Sequence, residues 1–169
     1  MKSKKLLTLH SQSTAVLGLP TYLLIMVIVI ATIMGLCILS LQQLLGNSDI
    51  HQVETEINRI TTEAANMFEY ADEGTSVNLH VKFPASLRFI VFGGYPTNST
   101  TEPLKLSLDE KTSNNYYYVM TDGVMRSYHS NARFSNHNIT QIVVLHPGTY
   151  DVTLELCFHE GKSYVTIVQ

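Results

Sequence analysis

The sequence has no tryptophan, only two cysteines and five prolines, and no charged side chain at all between Lys5 and Asp49. Each shortage excludes something. Cys37 sits inside the uncharged stretch and Cys157 close to the C-terminus, so an internal disulfide is not expected and the chain must be held by its core. That usage fits a prokaryotic surface better than a cysteine-stapled ectodomain, and Cys157 is expected to point inward as a small hydrophobe. A formal net charge of -3 excludes the basic footprint of a nucleic-acid binder. Nucleophile elbow, glycine-rich phosphate loop, paired helix histidines and C-x-x-C are all missing, so no enzyme and no cofactor are expected. The seven histidines, His10, His51, His80, His129, His137, His146 and His159, lack metal-ligand spacing and read as surface residues, with no metal expected.

What is there begins with the uncharged run itself. From Ala15 to Leu41 every polar side chain is a small hydroxyl, a Tyr or a thiol. A helix of about 20 residues crosses a hydrocarbon core of about 30 Å, so residues 15–45 are read as a transmembrane helix behind a basic leader, residues 1–14. No cleavage site of small residues follows the run before Gly46, which argues against removal as a secretory signal. Lys2, Lys4 and Lys5 precede it and all 14 acidic residues lie from Asp49 onward, so the N-terminus is expected in the cytoplasm and the C-terminal part outside the cell. Asn98-Ser99-Thr100 and Asn138-Ile139-Thr140 are candidate N-glycosylation acceptors, Asn98 and Asn138, on that exported side.

Beyond the run, Ile50, Val53, Ile57, Ile60, Ala64, Met67 and Ala71 recur at alternating intervals of three and four. This spacing predicts an amphipathic helix over residues 49–73, its stripe either packed on the protein's own domain or, read as heptads, paired with another helix. The segment Gly46 to Asp49 is the expected place for any break from the preceding helix, because Asn47, Ser48 and Asp49 are good N-caps. Gly74 is expected to close it.

From residue 75 the period changes to two. Strands are expected at Val77 to Phe83, along LRFIVF before Gly93-Gly94, at Leu104 to Leu108, Tyr116 to Thr121, Val124 to His129, Ile139 to Leu145, and in two runs on either side of His159-Glu160-Gly161. Asp122-Gly123 is expected to form a two-residue type I′ turn. Seven or eight short strands within residues 75–169 favour an antiparallel β-sandwich of immunoglobulin-like size. Tyr150, entering a strand behind a Pro-Gly corner, is either a tyrosine corner or an ordinary strand Tyr. Of Tyr116, Tyr117 and Tyr118, alternation puts Tyr117 on the face opposite its neighbours, and Arg88, Arg126 and Arg133 have no evident acidic partner.

A basic leader, a long apolar helix with an amphipathic continuation and a terminal β-domain together resemble type IV pilin-like proteins. The wording TAVLGLPTYLLIMVIVIATIMG is similar to the archaeal branch, with Ala15, Val16, Leu17 and Gly18 at the matching positions and Pro20 just inside. The resemblance implies a pilin-like surface subunit or filament accessory protein. A prepilin-type peptidase would remove the leader, lipid or other pilin-like subunits would surround the apolar helix, and Gly35 would lie at a helix-packing face with the Ile50 to Met67 stripe. The alternative is a permanent single-pass surface protein whose β-domain binds a cell-wall, glycan or protein ligand. Overall the fold class expected is membrane-anchored α+β.

Overall fold

The structure is a computed structural model that describes the backbone of residues 13–96 and 101–169, and the side chains of residues 20–41, 48–96 and 101–169. It is α+β. The chain divides into two compact units, Met1–Leu45 and Gly46–Gln169. Helical backbone, α1, is continuous over Ser13–Tyr70, so Gly46 to Asp49 is not a break. Propagating a helix adds one hydrogen bond per residue fixed, which outweighs the modest propensity penalty of a single Gly.

In the first unit, Pro20–Leu41 has a mean hydropathy of 2.9 and none of it is buried. Thr32 Oγ1 donates to the Ile28 carbonyl at 2.8 Å and Ser40 Oγ to the Leu36 carbonyl at 3.0 Å. Both hydroxyls are thus satisfied within the helix, and the lateral surface stays apolar. Nothing lies within 4 Å of where a Cβ on Gly35 would be. Pro20 is inside the helix, and the backbone of Ala15, Val16, Leu17 and Gly18 is helical too.

The second unit has two four-stranded sheets. One is ordered β1 (Ser76–Phe83), β7 (Gly148–His159), β8 (Lys162–Val168), β5 (Phe134–Ser135); the other β4 (Met125–His129), β3 (Asn115–Met120), β2 (Leu87–Phe92), β6 (Val143–Leu145). Every pairing is antiparallel except β5 with β8. One hydrophobic core joins them to the helix. Val53, Ile57, Ile60, Ala64 and Met67 are buried in it with Val81, Ile90, Tyr118, Leu154 and Val165, and Ile50 and Ala71 pack against its rim. The three-four spacing is therefore the helix's inward face, and each large side chain so buried contributes roughly 1.5–3 kcal/mol. On its polar flank, Gln52 Nε2 donates to the Lys82 carbonyl at 3.2 Å and Arg59 Nη1 to the His80 carbonyl at 3.1 Å.

Several local expectations are corrected. The helix ends at Tyr70, ahead of Gly74, which instead takes a φ of 82° in the turn into β1. Leu104 to Leu108 is not a strand: Ser107 makes one isolated bridge to Gln141, and Leu104 is fully exposed. Only Val143–Leu145 of the expected 139–145 strand is a strand, because Ile139 adopts a φ of 54° in a turn where Asn136 Oδ1 accepts from the amides of Thr140 and Gln141. The β3–β4 hairpin forms where expected, but not through a type I′ turn. That type needs positive φ at Asp122 and Gly123 alike, and only Gly123, at 89°, has it. The Gly123 amide bonds the Met120 carbonyl at 3.0 Å and the Asp122 carboxylate accepts from the Val124 amide. This is a type I turn followed by a left-handed glycine. Two consecutive positive φ angles occur instead at Glu160 (50°) and Gly161 (78°), between β7 and β8.

Cys157 faces away from the core. Leu154 and Leu156 take the inward positions of β7, so alternation turns Cys157 outward, half-buried and 4.0 Å from Thr166 Oγ1. Burial raises its thiol pKa. Tyr150 packs over Gly148, whose φ of 150° only glycine takes readily, and its hydroxyl makes no corner hydrogen bond among the described residues.

Candidate functional site

Two places bring functional side chains together, one on each face of the β4-β3-β2-β6 sheet. The inner one is built on the helix. Glu54 follows Val53 in sequence, so it stands at the edge of the buried stripe and meets the inner end of β3 and β4. Its Oε1 accepts from Arg126 Nη1 at 2.6 Å, from Tyr118 Oη at 3.0 Å and from Tyr128 Oη at 3.0 Å. Tyr128 stacks on Tyr116 with ring centroids 5.4 Å apart, and Tyr116 stacks on Phe92 at 6.0 Å. A cavity of about 330 Å³ opens between these groups and Asn58. Burial alone would raise the Glu54 pKa, but the two phenol hydrogen bonds and the Arg126 charge outweigh it and hold the carboxylate below its usual range. The same environment, first burial and then Glu54, pushes the Tyr118 phenol well up. A carboxylate oxygen with three donors and a phenol that keeps its proton make a clasp between helix and sheet. Arg126 is thus paired, against expectation. Arg133 lies 6.0 Å over the Phe68 ring, and neither it nor Arg88 has an ion-pair partner among the described residues.

The outer place is a cavity of about 700 Å³. It depends on an irregularity in β2. Leu87 pairs with Met120 and Phe89 with Val119, so Arg88 is an extra residue in the ladder. Leu87 is in the main core, whereas Phe89, two residues on, is in a separate outer cluster with Val91, Tyr117 and Val119. A regular strand would put residues 87 and 89 on one face; the bulge breaks that alternation and brings Arg88 and Phe89 to the same cavity. Tyr95 and residues 101–107 form the opposing wall, the latter tied down by the Ile142 amide to the Leu106 carbonyl at 2.8 Å and the Leu108 amide to the Thr140 carbonyl at 3.0 Å. The connection from β2 to β3 that carries them leaves the sheet at Gly93, where φ is 84° and an added Cβ would stand 2.6 Å from the Phe134 carbonyl oxygen, so only glycine fits.

Among the residues singled out in the sequence, Val53, Ile57, Ile60, Ala64 and Met67 are core, Ile50 is at its rim, and Gly35 is exposed on the apolar helix. Asn138 is exposed, in the turn that contains Ile139. Asn98 and the leader before Ser13 lie outside the described residues. Two of the described histidines meet carboxylates at the surface: His80 Nδ1 is 2.7 Å from Asp151, and His146 Nε2 is 3.4 Å from Glu102. The described residues contain no group of three or more His, Cys, Asp or Glu placed to hold a metal ion. Pattern reading missed Glu54, Arg126 and Arg88, since polar contacts between distant elements leave no period, and a bulge leaves none either.

No protein-family model, no curated protein and no solved structure matches the chain.

Proposed function

We propose that the protein is a pilin-like subunit or filament accessory protein of the cell surface, its apolar helix held in the membrane or packed in a filament core and its β-domain, a sandwich of immunoglobulin-like size, outside. The observation that carries this reading is the change of burial along α1. Pro20–Leu41 is apolar and unburied, while Val53 to Met67 of the same helix are core residues of a β-domain. An apolar helix surface of that length is stable only against lipid or other apolar helices. The closed hydroxyls of Thr32 and Ser40 suit either surrounding. The leader lysines favour a cytoplasmic N-terminus, and the exposed Asn138 turn suits glycosylation outside. Membrane lipid, other copies of the chain and a prepilin-type peptidase are the partners this reading implies.

The experiment is the intact mass and N-terminal residue of the protein from native membranes. A chain beginning near Val16 supports processing ahead of the apolar helix and assembly; a chain beginning at Met1 or Lys2 defeats the processed-pilin form and leaves a permanent anchor. Gly35→Arg separates the two further: it abolishes filaments in an assembling subunit, whereas a monomeric anchor loses only insertion efficiency, since a central Arg costs about 2.5–3.5 kcal/mol.

A further inference from the structure

The outer cavity of the β4-β3-β2-β6 sheet has the composition of a binding site, and nothing in the proposed function uses it. Its volume of about 700 Å³ lies within the range of small-ligand pockets, roughly 300–1,000 Å³. Three features set its chemistry. Arg88, delivered by the bulge, and Lys105, on the opposing wall, are exposed cations with no ion-pair partner among the described residues, and against these two cations the described lining sets one carboxylate, the half-exposed Glu102, 3.4 Å from His146 Nε2. Tyr117 is only 3% exposed, yet its phenol has no hydrogen-bond partner among the described residues and is not enclosed in protein, so it opens to the cavity it lines. Tyr95, also lining the cavity, is 64% exposed and offers a free aromatic face.

We infer that this cavity binds an acidic sugar, a uronic-acid unit whose carboxylate meets Arg88 and Lys105 while its ring lies against Tyr95 and its hydroxyls reach Tyr117, Thr101 and Ser107. A guanidinium matches a carboxylate with two parallel hydrogen bonds. The apolar face of a pyranose ring covers an exposed aromatic, and the alternating ring hydroxyls satisfy neutral hydroxyl partners that a purely anionic ligand would leave idle. The inference stands apart from the pilin-like reading, since it concerns the β-domain alone.

The test is titration calorimetry on the full chain in detergent micelles, with D-glucuronate as probe and D-glucose, acetate, inorganic phosphate and tri-glutamate as comparisons. Glucuronate is expected to bind with a Kd on the order of 1 mM, as befits a ligand of its size. Arg88→Gln is expected to weaken it about tenfold, the loss of one charge-assisted contact, and Tyr117→Phe several-fold, with both variants keeping the parent's thermal midpoint. Binding of glucuronate that is absent, or unchanged by Arg88→Gln, overturns the inference. Equal binding of glucose removes the carboxylate from it, equal binding of acetate or phosphate removes the sugar, and tighter binding of tri-glutamate reassigns the cavity to an acidic peptide; each of these outcomes overturns it too.

Discussion

The Tyr118 hydroxyl, on a residue with no exposed surface, hydrogen-bonds Glu54 Oε1 at 3.0 Å, joining the helix to a strand 64 residues further along the chain. It is the single hydrogen bond of that phenol among the described residues, so its loss strands a polar group at the core boundary. Glu54→Ala is expected to destabilise the β-domain by about 1–3 kcal/mol. Glu54→Gln, which keeps an acceptor at the same place, should recover part of the loss. Urea unfolding followed by circular dichroism measures both, and equal losses for the two variants would show that the hydrogen bond is not the source.

The same carboxylate makes stability depend on pH. Its pKa is lower in the folded protein than in the unfolded chain, where Glu titrates near about 4.3. The contribution is therefore complete above that unfolded value and fades as pH falls through the lower, folded one. The urea midpoint of the parent is expected to drop on acidification below about pH 4.3 more steeply than that of Glu54→Gln. Parallel acid limbs would count against the clasp as a contributor.

Helix burial can be probed at one side chain. Ile60 is completely buried between the helix and the sheets. Ile60→Ala is expected to lower stability by about 2–5 kcal/mol. The exposed Asn58, two residues earlier, should tolerate Ala within about 0.5 kcal/mol. Thermal melts of the two variants give the contrast, and similar melts would contradict the packed-stripe assignment.

Glu160 offers a gain instead of a loss. It is exposed and held at a φ of 50° in front of Gly161, a conformation that disfavours an L-residue by about 1–2 kcal/mol unless its side chain suits it. Glu160→Asn gives this turn the Asn-Gly pair that type I′ prefers. The expected result is a stabilisation of up to about 1 kcal/mol, read as a raised thermal midpoint; an unchanged midpoint would mean the turn carries no such strain.

The stripe from Ile50 to Ala71 was legible in the sequence because burial on one helix face imposes a period, and the strands at Val77 and Tyr116 were legible through their alternation. The expected strand at Leu104 to Leu108 was not, since LKLSL meets only the short segment Thr140 to Ile142, through a single bridge, and alternation reports a pattern and not the extent of a pairing. Cys157 was misplaced because its small apolar character outweighed its neighbours: Leu154 and Leu156 already fill the inward positions. Glu54 and Arg126 carry no local signal of each other, being 72 residues apart. The extra residue at Arg88 shifts every later side chain of β2 to the opposite face, and no property of Arg in the sequence announces it.

Gln52 and Arg59 have a consequence for behaviour in a crowd. β1 is the outermost strand of its sheet, and such a strand normally leaves a row of carbonyls and amides open to any passing chain. Here the helix side chains already occupy the carbonyls of His80 and Lys82. A second copy therefore finds no free acceptor at His80 and Lys82, and pairing of neighbouring β-domains along this end of β1 is disfavoured.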